Sequence, residues 1–241
     1  MVEPPFVVIG DEAPAVVERR ARKTVRWASE RLAEAYFDRT PDRIVEAWLF
    51  RDGISYRRNA RRLFGSVADT PYGYYSAADD ALVMNIATGG GTLVHEIVHP
   101  YVEANLPGCP PWLDEGLGSL YEQSAERDGR IVGLTNWRLP GLQAAIAAGE
   151  VPSFEALLAA TPHAFYREDR GTNYAQARYL LYYLQEAGLL PGFYARYRRQ
   201  RSKDPTGYRS LREILGRRAS EMAAFQREWE RWVMGLRYPA S

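Results

Sequence analysis

Residues 95–99 of the chain are His95-Glu96-Ile97-Val98-His99. On an α-helix, residues four apart lie on one face, so the two imidazoles can each direct a nitrogen at one metal ion. Glu96 lies near the same pocket and is free to hold a water molecule. Two neutral imidazoles and a carboxylate beside an open coordination position are what zinc-dependent hydrolysis requires. The chain has only three histidines, so the pairing is informative; the alternative is that unrelated hydrogen bonds satisfy both rings.

A third metal ligand must come from outside this helical segment. The next informative stretch is 110–122, in which prolines followed by an apolar repeat at helical spacing predict a second helix. Glu115 lies in the first turn of that helix, and Glu122 follows on the same face two turns later. Glu122 is therefore a candidate to reach behind a histidine and hold its ring. Glu103 is the alternative third ligand on spacing, but it ranks below Glu115 because Pro100 should kink the helix before it.

The segment His-Glu-x-x-His followed by Trp112-Leu113-Asp114-Glu115-Gly116 resembles the gluzincin branch of the zinc metallopeptidases, in particular the peptidase MA-like domains. The resemblance implies an α+β, zincin-like fold: a small mixed sheet with an active-site helix, followed by a mostly helical C-terminal lobe. It also implies a Zn²⁺ cofactor and a peptide or protein substrate. The residues it assigns as metal ligands are His95, His99 and Glu115, with Glu96 as general base, Tyr174 as oxyanion donor and Glu122 as the support of a ligand. It also implies that Met84, Asn85 and Ile86 lie at or near the edge of the cleft, on a strand that pairs with the substrate backbone. An ordinary interior strand is an equally favoured alternative for these three residues.

Hydrolysis of peptide bonds, with Glu96 as general base, is the function that we expect from these residues. The alternative is a zinc-binding scaffold or peptide-binding module that keeps the gluzincin fold without catalysis. His163 competes with Tyr174 for the oxyanion role; the ordinary alternatives are a surface histidine and a core tyrosine. Tyr166 is interpreted as a packing residue. No Gly-x-Met-Glu-Asn motif is present, so nothing implies recognition of a substrate amino terminus, and the cleavage preference stays open.

The composition supports a hydrophobic core and argues against several kinds of partner. Of the 241 residues, 46% are hydrophobic, and the formal net charge of +1 creates no overall field that would recruit nucleic acid or an acidic membrane. We therefore predict no nucleic-acid partner. No apolar run is long enough to span a bilayer, and the single cysteine, Cys109, excludes an internal disulfide. The first residues lack the features of an export signal, but a leader removed beforehand would leave the same start, so compartment and oligomeric state stay open.

Hydrophobic periodicity predicts a single domain, 1–241, with a sheet-bearing lobe over 1–106 and a helical lobe over 107–241, and the resemblance implies that this domain is catalytic. Strands are predicted at 6–9, 43–50, 72–76 and 81–86, the last two as a hairpin, and helices at 13–37, 55–64, 139–148, 154–160, 174–187, 193–199, 208–215 and 220–234. Thr92 is expected to cap the helix that carries His95. Four arginines on one predicted helix either clasp an anion or form an ordinary solvated surface, which is favoured: Arg57, Arg58, Arg61 and Arg62.

Overall fold

The computed structural model of the protein describes residues 1–35, 37–67, 69–168 and 171–238. The chain divides into two units, one formed by Met1–Pro107 and Glu126–Ile131 and the other by Gly108–Ala125 and Val132–Ser241. Over the described residues helices predominate, and the sheet of the first unit is small and mixed. The predicted α+β class is therefore confirmed.

Five strands form the sheet of the first unit: β1 Val2–Glu3, β2 Phe6–Gly10, β3 Val45–Phe50, β4 Gly73–Ser76 and β5 Ala81–Asn85. Their spatial order is β1-β2-β3-β5-β4. The three central strands run parallel, whereas β1 pairs antiparallel with β2 and β4 pairs antiparallel with β5. All five residues of β5 are buried, as expected for an uninterrupted apolar run inside a sheet. The predicted pairing of β4 with β5 is confirmed.

The helices of the first unit are α1 Pro14–Arg20 and α2 Trp27–Ala35, joined by the π-helical segment Ala21–Arg26, then α3 Gly53–Phe64 and α4 Gly90–Asn105. The helix predicted over 13–37 is thus confirmed through α2, while Tyr36 lies outside the described residues. Arg26 attaches this helix to the sheet, because its Nε and Nη2 donate to both carboxylate oxygens of Glu3, at 2.5 and 2.9 Å. Asp52 caps α3 by accepting two backbone N–H groups of its first turn.

The start of α4 depends on a glycine. Gly89 has a φ of 111°, which L side chains rarely adopt, and it follows the short 3₁₀ turn Ile86–Thr88 that leaves β5. The expectation that Thr92 caps α4 is wrong: the helix already begins at Gly90, and the Thr92 hydroxyl donates to the Gly89 carbonyl oxygen at 2.9 Å. Pro100 lies inside α4, and the helix continues past it to its end at Asn105.

The second unit is built from helices α5 Pro111–Glu122, α6 Leu139–Ala148, α7 Phe154–Leu158, α8 Thr172–Glu186, α9 Leu190–Gln200, α10 Tyr208–Ile214 and α11 Met222–Gly235, with a π-helical segment, Ala164–Glu168, before α8. The predicted helices are confirmed, with ends within a few residues of those expected. Helix α5 packs against α8. Gly116 permits this close approach, because a Cβ there would lie 2.9 Å from Leu181 Cδ1.

Arg178 of α8 is a fully buried cation. Its Nε donates to the Ser119 carbonyl oxygen at 2.9 Å, and its Nη2 donates to the carbonyl oxygens of Leu120, at 3.5 Å, and Leu134. Burial lowers the pKa of Arg178 to about 10. Ser119 and Leu120 lie near the C-terminal end of α5, where the helix dipole is negative, so the guanidinium stabilises that end of the helix.

A hairpin that periodicity did not predict follows α5. Strands β6 Ser124–Arg127 and β7 Arg130–Gly133 form a two-stranded sheet. Asp128 and Gly129 connect them with φ values of 52° and 74°. Two positive φ values are typical of a type I′ turn, for which Asp-Gly is a preferred sequence. The Asp128-Gly129 dipeptide is therefore the sequence signal that indicates this hairpin.

Candidate metal centre

Helix α4 carries both histidines of the His-Glu-x-x-His segment on one face. The ring centroids of His95 and His99 are 5.1 Å apart, with an angle of 66° between the ring planes. Glu96 Oε2 lies 3.7 Å from His99 Nε2. His95 is 8% exposed and Glu96 is 9% exposed, so both lie in the protein interior. Four-residue spacing on a helix accounts for the closeness of the two rings.

Glu115 of α5 joins the two histidines. One ligand atom from each of His95, His99 and Glu115 lies within 4.8 Å of the other two. We call these three side chains the ligand group. Across the described residues, it is the one set of three or more His, Cys, Asp and Glu side chains with such spacing. Glu103 is not part of it: the exposed carboxylate accepts a hydrogen bond from the Tyr75 hydroxyl at 2.7 Å.

The ligand group has a donor set that can hold a divalent metal ion. Two imidazole nitrogens and one carboxylate oxygen suit zinc, and other first-row metals accept the same donors. Cys109 is not a member of the group, because its thiol does not lie within the distance that joins the other three side chains. The donors are therefore nitrogen and oxygen only.

Glu122 has partners other than a histidine. Its carboxylate pairs with Arg138 Nη2 at 3.1 Å and accepts hydrogen bonds from the Trp137 indole at 3.2 Å and the Asn136 amide at 3.5 Å. In the part of the chain that the structure describes, none of its hydrogen bonds goes to a histidine. The prediction that Glu122 holds a ligand ring is wrong, because the carboxylate at the end of α5 binds the segment after β7 instead.

Tyr166 lies against the ligand group, although the sequence suggested only packing. Its hydroxyl hydrogen-bonds to the Glu115 carboxylate, and its pKa is raised by burial and by the negative charges of Glu115 and Asp114. Its ring contacts that of Tyr174, with centroids 6.3 Å apart. Periodicity does not point to Tyr166, because it lies in the π-helical segment before α8.

Tyr174 lies near the start of α8 and is half-buried. Its ring contacts Phe165, with centroids 5.2 Å apart, and the guanidinium carbon of Arg138 lies 5.7 Å from its ring centroid. The structure therefore brings Tyr174 beside Tyr166; its role as oxyanion donor stays a prediction. His163, the competing donor, is an exposed side chain whose Nδ1 lies 3.0 Å from Glu168 Oε1.

The interior-strand alternative is confirmed for Met84 and Asn85, so the backbone of their strand is not free to pair with a substrate. Strand β5 lies between β3 and β4, and the 3₁₀ turn that starts at Ile86 follows it directly. All three residues are buried, Met84 completely, and the Asn85 amide donates to the Pro71 carbonyl oxygen at 2.8 Å. The strand at this edge of the sheet is β4.

No protein-family model matches the chain, and no curated protein matches it. Among the described residues, no helix combines the length and apolar character needed to cross a membrane. A function for the chain must therefore be inferred from the side chains of the site and their geometry.

Proposed function

We propose that the protein is a zinc-dependent peptidase of the gluzincin type, with a zincin-like fold, and that it hydrolyses peptide bonds. One observation carries the proposal: the donors of the ligand group lie within 4.8 Å of one another, and Glu96 lies beside them, 3.7 Å from His99. This is the set of side chains that the His-Glu-x-x-His segment and Glu115 lead us to expect.

The donor set fits zinc in a catalytic role. Two imidazoles and one carboxylate are three protein ligands, the number typical of catalytic zinc sites, whereas structural sites use four. His95, His99 and Glu115 would hold the ion. Two of these side chains, His95 and Glu115, are each 8% exposed, so the protein has already removed them from bulk water.

When bound, zinc supplies a Lewis acid that polarises a carbonyl group and lowers the pKa of water towards ~7. Glu96 is the general base, because its carboxylate lies beside a ligand without belonging to the ligand group. It accepts a proton from the attacking water and passes that proton to the nitrogen of the departing amine. At 9% exposure, the Glu96 carboxylate exchanges that proton with little competition from bulk solvent.

Two tyrosines have separate roles beside Glu115. Tyr166 orients the Glu115 carboxylate through its hydroxyl. Tyr174, whose ring contacts that of Tyr166, donates a hydrogen bond to the oxyanion that develops as the carbonyl is attacked. Arg138, with its guanidinium carbon 5.7 Å from the ring centroid, helps to hold the Tyr174 ring in place.

The substrate backbone pairs with the edge of the sheet at β4. An edge strand presents unpaired N–H and C=O groups to which an extended peptide can add as a further strand. Strand β4 lies at the end of the sheet order and packs on α4. The hydrogen bond from Tyr75 of β4 to Glu103 of α4, at 2.7 Å, links this edge to the helix that carries the histidines.

The decisive experiment compares Glu96→Gln with the wild type. Both proteins should bind one zinc ion, and only the wild type should cleave a mixed peptide library in a reaction that a chelator stops. Glu150→Gln, at an exposed position, is the matched control and should cleave like the wild type. Appreciable turnover by Glu96→Gln would reject the assignment of the base.

The same measurements on the wild type separate the peptidase from the alternative. Zinc binding without any cleavage would favour the non-catalytic scaffold or peptide-binding module. A wild-type protein that binds no zinc would reject both functions and leave the ligand group as a set of hydrogen-bonded core side chains.

A further inference from the structure

Helix α3 presents a basic face to solvent. Arg57, Arg58, Arg61 and Arg62 are all exposed, and their spacing puts them on one side of the helix. Ile54 precedes Arg57, Arg58 and Arg61 by three, four and seven residues, so it belongs to the same side, and it is 72% exposed. We call these four arginines and Ile54 the α3 face.

The arginines of the α3 face have no acidic partners over the described residues. Helix α3 itself contains neither Asp nor Glu. By contrast, the arginines of the helical region from α1 to α2 form ion pairs with carboxylates: Arg20 with Glu12, Arg22 with Glu18, Arg26 with Glu3 and Arg31 with Glu34. Among the described residues, no ion pair therefore neutralises the positive charge of the α3 face, although the whole chain carries only +1.

Exposed aliphatic side chains accompany this charge. Besides Ile54, Val67 shortly after α3 is 77% exposed, whereas Leu63, which is 43% exposed, lies on the opposite side of the helix. Unpaired arginines combined with exposed aliphatic groups are the features of helices that lie in the interface of an anionic bilayer, with basic groups at the headgroups and apolar groups below them.

We propose that the α3 face docks on a membrane surface rich in anionic phospholipid headgroups. The protein lies on this surface without inserting a helix through it. A single-stranded nucleic acid is the less suitable polyanion, because single strands are bound by stacking on aromatic rings. The exposed apolar side chains on the α3 face and just after α3, Ile54 and Val67, are aliphatic. The proposal does not depend on peptidase activity.

The size of the effect follows from the number of charges. Each arginine near an anionic bilayer strengthens partitioning about fivefold. A double variant, Arg57→Gln with Arg61→Gln, should therefore bind such vesicles about twenty-five-fold more weakly. Because both side chains are exposed and α3 tolerates glutamine, this variant should fold normally.

The test is co-sedimentation of the full chain with phosphatidylcholine vesicles that contain about one-third phosphatidylserine, at ~0.1 M salt. Binding should require phosphatidylserine and should weaken in Arg57→Gln/Arg61→Gln. The matched control is Arg227→Gln/Arg231→Gln, which removes two exposed arginines at the same helical spacing from α11 and should bind like the wild type. Ile54→Ser should weaken binding severalfold, which reports the apolar contribution.

Three results would overturn the proposal. The first is no sedimentation of the wild type with the anionic vesicles. The second is equal weakening in the two double variants, which would mean that overall charge and not the α3 face controls binding. The third is tighter binding to duplex DNA than to the vesicles at the same salt concentration, which would assign the face to nucleic acid.

Discussion

We expect Arg178→Met to destabilise the second unit by about 2–4 kcal/mol. Methionine can fill the space of the aliphatic stem, but it leaves the carbonyl oxygens of Ser119, Leu120 and Leu134 without their donor. A buried acceptor left unsatisfied costs about 1–3 kcal/mol, and the Leu120 oxygen, bonded at 3.5 Å, contributes least, so the total loss is roughly 3–7 kcal/mol.

The cost of burying the guanidinium opposes this loss. Burial lowers the pKa of Arg178 to about 10, and methionine avoids this cost of burying a charge, which offsets part of the loss. The hydrogen bonds outweigh the burial cost, so the substitution remains destabilising.

Urea and thermal unfolding followed by circular dichroism measure this effect. For a chain of this size, roughly 2–4 °C of melting temperature is lost per kcal/mol, so the shift should be about 4–16 °C. Arg196→Met is the control, because Arg196 pairs with Glu213 at 2.7 Å with both side chains more than one-third exposed. Removing that surface pair should change the free energy of unfolding by less than about 1 kcal/mol.

Arg178→Lys distinguishes the hydrogen bonds from the charge alone. Lysine keeps the charge but cannot present the guanidinium fork to three carbonyl groups, so its stability should fall clearly below that of the wild type. If both variants at position 178 unfold like the wild type, the carbonyl oxygens are satisfied in another way and the reasoning is refuted.

Three further predictions concern the ligand group and the buried tyrosines. Glu115→Gln should lower zinc affinity by more than the ~10–100-fold loss that is typical when a residue hydrogen-bonded to a metal ligand is replaced. Glu103→Gln should leave the zinc affinity unchanged, and equilibrium dialysis with zinc measures both affinities. Tyr174→Phe should lower kcat by about a hundred- to a thousandfold with zinc content unchanged, and a wild-type kcat would remove Tyr174 from the mechanism. Burial raises the pKa of Tyr56 and Tyr197 above 10.0, so at higher pH the unfolded chain loses protons that the folded chain retains. The free energy of unfolding should therefore fall above about pH 10, by ~1.4 kcal/mol per pH unit for each such tyrosine, and urea titrations of Tyr197→Phe should show a smaller slope.

Local patterns were enough to predict most helices and strands and part of the site. Helices α2, α5 and α8 each show an apolar repeat that alternates with polar residues. Such a repeat is a property of one segment, so it can be interpreted without knowing which other segments pack against it. The pairing of His95 with His99 is local in the same sense, because helix geometry alone brings residues four apart together.

Relations between distant segments could not be predicted in this way. Glu122 pairs with Arg138, which lies beyond an intervening hairpin, and no pattern in α5 indicates that partner. Tyr166 reaches Glu115 from a π-helical segment whose geometry periodicity does not describe.

The position of β5 is a different case. Its uninterrupted apolar run indicates burial on both faces and therefore an interior strand, whereas the family resemblance implies a strand that pairs with the substrate. The topology agrees with the local signal.

The interior position of β5 also determines how the histidines behave in the absence of an ion. Strand β5 has hydrogen-bonded neighbours on both sides. The amide hydrogens of such a strand exchange with deuterium only when a large part of the protein unfolds, which is rare. Helix α4 begins one short turn after this strand, so we expect His95 and His99 to be attached to a slowly exchanging part of the first unit. After treatment with a chelator, the amide hydrogens of β5 should therefore remain protected from exchange, and the protein should bind metal without refolding. A zinc finger behaves differently, because its chain is unfolded until the metal binds.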